Sequence, residues 1–251
     1  MKNQFVVLSI LLSTLLLSSC VTINLNRANA SSSSKNQVKG SGELVTKVVE
    51  TNSFSEINLA VVFDVELIQG DEEKVVIAVD DNLQGYISVE TQNNQLRISK
   101  TKGAPNFNKA NGQIQIYFKD INRLTNASVG NLSTSSVLVL DELYLKNSAV
   151  GNTKLDLNVQ DLEIVNSAVG HLSLEGVCEN FKLVNSAVGH VKAKDFKVNY
   201  LNLKNTAVGN TAINASKEAS IKNSAVGNLS IYGNPEITEF KNSGVGKFKR
   251  V

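Results

Sequence analysis

Seven times in its second half the chain returns to one five-residue phrase: Asn, two small residues, Val, Gly. The phrase stands first at residues 126–130 and returns from Asn147, Asn166, Asn185, Asn205, Asn223 and Asn242. Successive glycines lie 21, 19, 19, 20, 18 and 19 residues apart. A step that short and that constant is the mark of a solenoid, in which each repeat is one coil laid on the last. Four and two residues before each Asn the side chains are mostly apolar, as in Leu162 and Ile164 or Leu201 and Leu203. Two and four residues after the Gly the pattern resumes, as in Leu172 and Leu174. Alternation with period two is a strand with one face inward. Each coil is therefore expected to hold at least two short strands, one on each side of the Asn-Gly corner, with a variable segment such as residues 175–180 completing the turn. Parallel coils about 4.8 Å apart put six steps at roughly 29 Å.

Residues 38–120 lack the phrase but read as strands, over residues 43–50, 61–69, 74–80, 86–91, 95–100 and 113–118. Turn signals separate them, among them Gln69-Gly70-Asp71 and Lys102-Gly103-Ala104-Pro105. The fold class is all-β: a single-stranded β-solenoid of about seven 18–21-residue coils at residues 124–251, preceded by a β-rich part at residues 38–123.

The N-terminus reads as a processing signal. Lys2 precedes an apolar run at residues 5–17, too short to cross a membrane comfortably. It ends Leu17-Ser18-Ser19-Cys20, which resembles a bacterial lipobox. That resemblance implies a signal peptide at residues 1–19, lipid on Cys20 and a membrane partner through that anchor. Val21-Thr22 is not an acidic retention signal, so the resemblance favours the outer membrane and leaves the side it faces open. Residues 20–37, with four serines in a row at 31–34, are expected to be a flexible tether.

The repeats also carry a family resemblance. The small-small-Val-Gly corner, Gly40-Ser41-Gly42 and the Phe54-Ser55-Glu56-Ile57-Asn58 segment resemble the auto-transporter adhesin head domain, the GIN domain. The resemblance covers residues 38–251. It implies a β-solenoid akin in shape to right-handed parallel β-helices, a role in adhesion, and no inherited catalytic residues.

Formal net charge is +2, which argues against a nucleic-acid partner. No Ser-His-Asp order, metal motif or phosphate loop is present, so no enzyme activity and no cofactor is expected. Asp141, Asp161, Glu179, Glu218 and Glu236 recur five or six residues before the Asn and read as exposed turn carboxylates. Cys178, the one cysteine after Cys20, reads as buried packing.

Four columns are candidate features. Asn126, Asn147, Asn166, Asn185, Asn205, Asn223 and Asn242 continue the inward parity and are expected to form a buried structural ladder. The valines from Val129 to Val245 either fill the core, the favoured expectation, or form an exposed apolar stripe. His171 and His190 occupy adjacent coils in the column after the Gly, suited to a polar ladder, a metal or a pH-sensitive contact. Lys204, Lys222 and Lys241 stack one residue before the Asn, as a solvated face or as a contact for an acidic partner. The expected role is an envelope lipoprotein that binds a surface glycan or protein. The alternatives are a structural or sensory module without an extracellular ligand and, third, a polysaccharide-acting enzyme.

Overall fold

A computed structural model describes residues 37–251, so the expected signal peptide, Cys20 and all but the last residue of the expected tether lie outside the described residues. That last residue, Gln37, opens a strand. In chain order the strands are β1 (Gln37–Lys39), β2 (Leu44–Glu50), β3 (Glu56–Ala60), β4 (Asp64–Gln69), β5 (Lys74–Asp80), β6 (Ile87–Gln92) and β7 (Gln95–Lys100). Then come β8 (Asn106–Asn108), β9 (Gly112–Phe118), β10 (Arg123–Asn126), β11 (Leu132–Thr134) and β12 (Leu138–Asn147). The repeats continue as β13 (Thr153–Asn166), β14 (Leu172–Asn185), β15 (Val191–Asn205) and β16 (Thr211–Asn223). The chain closes with β17 (Leu229–Tyr232), β18 (Glu236–Asn242) and β19 (Phe248–Arg250).

The repeats stack as parallel coils that stay in register at every Asn, although the register shifts within the strands between β14 and β15 and between β15 and β16. Asn147 pairs with Asn166, Asn166 with Asn185, Asn185 with Asn205 and Asn205 with Asn223. Inside, the alternating columns become layers of like side chains: Leu145, Ile164, Leu183, Leu203 and Ile221 are all within 1% of full burial. Each such burial contributes about 1.5–3 kcal/mol. Phe181 and Phe196 meet edge to face across the interior at 5.6 Å.

In two respects the coils differ from expectation. The variable segment is not a loop between two strands, because β13 to β16 run unbroken from the residue after one corner to the Asn of the next. The chain bends within those strands where two successive residues face outward, as at Gln160-Asp161. Nor does the stack begin at residue 124. β3 and β4 lie parallel and in register beneath β10 and β11. Beneath β3 and β4 lie β7 and β9, again parallel. Antiparallel β6, β5 and β2 then extend this end. The β-rich N-terminal part thus supplies further solenoid layers, built without the Asn-Gly phrase.

The glycine that closes each corner is required by close approach. At Gly189, with φ +148°, a Cβ would stand 1.9 Å from the carbonyl oxygen of Gly170 in the coil below. Any side chain there would force adjacent coils apart, which is why the position is glycine in all seven repeats.

Candidate functional site

The corner exposes and buries its residues by a single rule. Inward parity runs straight through it, so Asn and the second small residue face in while the first small residue and the Val face out. Ala149, Ala168, Ala187, Ala207 and Ala225 are buried to within 4%. Each valine from Val129 to Val226 is 52–54% exposed and Val245 is 70% exposed. This corrects the expectation of a valine-filled core. The inward position beside the Asn amides is filled by a small residue, Ala in five repeats and Ser128 in the first, and the larger apolar side chain is on the outward parity. Seven valines, each bridged to the next through the backbone, form an unbroken external ridge.

Behind the ridge the asparagines form a directional chain. Asn126 Nδ2 donates to Asn147 Oδ1 at 3.2 Å, and the same bond repeats through Asn166, Asn185, Asn205, Asn223 and Asn242 at 2.8–3.0 Å. The first five of these side chains are about 99% buried, Asn223 is 5% exposed and Asn242 lies at the exposed last coil. In a dry interior every such amide must find partners, and stacking identical ones provides them.

His171 and His190 stack with ring centroids 4.9 Å apart. His171 Nδ1 accepts the backbone N–H of His190 at 3.1 Å, and His190 Nδ1 accepts that of Asn210 at 2.9 Å. Asn152 and Asn210 perform the same act through Oδ1 for the coils after them. The histidines therefore stand in for asparagine as acceptors, with the Nδ1 lone pair engaged. Loss of hydration, with Lys192 and His190 nearby, holds His171 below the usual histidine range. No cluster of three or more metal-ligating side chains occurs among the described residues.

The lysine column is partly neutralised. Lys222 Nζ and Lys241 Nζ both reach Glu239, at 3.1 and 3.0 Å. These two contacts, with Ser220 Oγ adding a third, pull the Glu239 carboxyl down to about 2. Lys204 pairs in register between Val184 and Lys222. Burial pushes the Cys178 thiol up to about 12, with Sγ 3.2 Å from the Asn180 carbonyl.

The feature that sequence reasoning missed is a groove of about 610 Å³ that crosses the coils. It lies where the strands bend, between the outward residues three and five positions before each Asn. One column runs Arg123, Tyr144, Glu163, Lys182, Asn202, Ser220 in register. The other runs Glu142, Asp161, Asn180, Tyr200, Glu218. The recurring carboxylates were visible in the sequence, but the bend that makes their column one wall of a concavity was not. Glu142, rather than Asp141, is the member in register with Asp161. Glu179 is instead held by Asn199 and by Lys217 at 3.3 Å.

Residues 53–235 match the family described as "Putative auto-transporter adhesin, head GIN domain". A crystal structure of a putative adhesin from Bacteroides fragilis superposes with a TM-score of 0.80 at 25% identity, covering 85% of this chain and all of that one. A putative lipid binding protein from Parabacteroides distasonis follows at 0.61 and 16% identity, covering 86% of this chain and 100% of its own. A putative adhesin from Parabacteroides merdae gives 0.58 at 19%, with 86% and 99% covered. The last two likenesses are of fold alone. No curated protein matches the sequence.

Proposed function

This chain belongs to the auto-transporter adhesin head family of GIN domains, and from that premise we propose that it is an envelope lipoprotein that displays its solenoid as a rigid binding surface. The partner is a surface glycan or protein, engaged in the sense of adhesion. The lipobox-like Leu17-Ser18-Ser19-Cys20 supports lipid on Cys20 and retention at the outer membrane, with residues 21–36 as the tether.

One observation carries the binding reading: the unbroken ridge of seven half-exposed valines, roughly 29 Å long at about 4.8 Å per step. A purely structural module has no need of a continuous apolar line on its exterior, whereas contiguous exposed apolar surface marks sites of interaction.

The test has two arms. Cys20→Ala is expected to release the protein from the membrane fraction, and persistent membrane association of that variant refutes the lipid anchor. Protease added to intact cells is expected to digest the solenoid, and Val169→Ser, Val188→Ser and Val208→Ser together are expected to reduce adherence of those cells. Protection from protease until the outer membrane is opened would replace adhesion with a role internal to the envelope.

A further inference from the structure

We propose that the groove is a glycan site, taking a linear, hydroxyl-rich chain without acidic groups laid along the solenoid axis. The inference rests on the envelope-binding reading above but concerns a different surface from the valine ridge.

Charge narrows the ligand first. Five carboxylates and two cations line the groove, so its formal charge is −3. Both cations are engaged: Arg123 lies 3.6 Å from Glu56, and Lys182 lies 2.9 Å from Glu163. Like charge in a confined groove excludes polyanions.

Hydrogen-bonding capacity narrows it further. Glu142 and Glu218 make no side-chain hydrogen bond or ion pair among the described residues. Asp161 receives one amide hydrogen, from Asn180 at 2.8 Å on Oδ1, which leaves Oδ2 open. The walls thus present acceptors in excess of donors, and a carboxylate accepts through two oxygens. A fitting ligand brings many donors. An extended peptide would bring them through its backbone, but a peptide adds to a sheet only at an unpaired edge. The strands that floor the groove from β12 to β16 are paired on both sides. Hydroxyl groups repeated along a sugar chain satisfy side-chain acceptors without needing an edge.

Shape and aromatic placement complete the argument. From Arg123 to Ser220 the wall covers five coil steps, roughly 24 Å at about 4.8 Å each. Tyr144 stands near one end and Tyr200 three coils further on, each ring with a cation over it at 4.7 and 5.0 Å. The face of each ring turned away from its cation is the one left for the C–H face of a pyranose ring, while the carboxylates of these coils take the hydroxyls.

The test is calorimetric titration of the full chain with β-1,4-linked glucan, mannan and xylan oligosaccharides and with polygalacturonate. Saturable binding to at least one uncharged oligosaccharide is expected, with no binding to polygalacturonate. The double variant Glu142→Gln/Asp161→Asn is expected to weaken it at least ten-fold with an unchanged melting temperature. The ridge variant Val169→Ser/Val188→Ser is expected to leave it intact. Failure of every uncharged oligosaccharide to bind overturns the proposal. So does tighter binding of polygalacturonate, or binding indifferent to the groove substitutions. None of those results touches cell adherence through the ridge, so the broader reading stands or falls separately.

Discussion

His171 Nδ1 accepts the backbone N–H of His190 at 3.1 Å, the same service that Asn152 renders to His171 through an amide oxygen. An imidazole can act so only while Nδ1 is bare. Its fold-imposed preference for the neutral form puts His171 below the ordinary value, whereas the unfolded chain titrates near about 6.5. The sign follows from linkage: the unfolded state binds the proton first, so this contribution is whole above about 6.5 and is lost as pH falls through the folded value. His171→Asn restores the acceptor used elsewhere in the column. Melting temperature measured from pH 8 to pH 4.5 is expected to fall more steeply in the wild type than in the variant below about pH 6.5. Parallel curves would show that the imidazole is not the acceptor.

Asn185 sits mid-ladder, accepting from Asn166 at 3.0 Å and donating to Asn205 at 2.9 Å. Asn185→Leu strands one buried donor and one buried acceptor, each costing about 1–3 kcal/mol. Denaturant unfolding is expected to show a loss of about 2–6 kcal/mol, the sum of two such groups. Asn242→Leu, at the exposed last coil, is expected to lose clearly less. Equal losses at the two positions would mean that burial does not set the strength of the ladder.

Cys178 is 5% exposed, and its thiol stands far above neutral pH. With Cys20→Ala in place, Cys178 is the single thiol, and it is expected to resist iodoacetamide in the native protein at pH 8. Stoichiometric alkylation should appear only in denaturant. Rapid native modification would place the thiol at the surface.

The sequence carried the coil because the determinants of a solenoid are local and repeated. Leu145, Ile164, Leu183, Leu203 and Ile221 announce an inward column by spacing alone, and the Asn phrase marks the corner. The lower layers were illegible because Glu56–Ala60 and Asp64–Gln69 make the same coil with other residues. Leu59 pairs with Asn126 there, and Asp64 Oδ1 accepts the backbone N–H of Asn131. The valines misled because hydrophobicity and parity disagree at Val150 and its equivalents. Parity prevails, since Ala149 already occupies the little room inside. The groove depends on where a continuous strand bends, and no residue type at Gln160-Asp161 or Asn199-Tyr200 announces a bend.

Each coil is closed by its own Gly and paired through its backbone only to its neighbours, and every ladder amide points the same way along the stack. Whole repeats are therefore interchangeable units of length. Duplicating or deleting 18–21 residues between two equivalent asparagines lengthens or shortens ridge and ladder together by about 4.8 Å and leaves the Asn-Gly corner to be built in the same way. A lineage carrying this fold can adjust how far its surface reaches by recombination between repeats, long before any point mutation improves a contact.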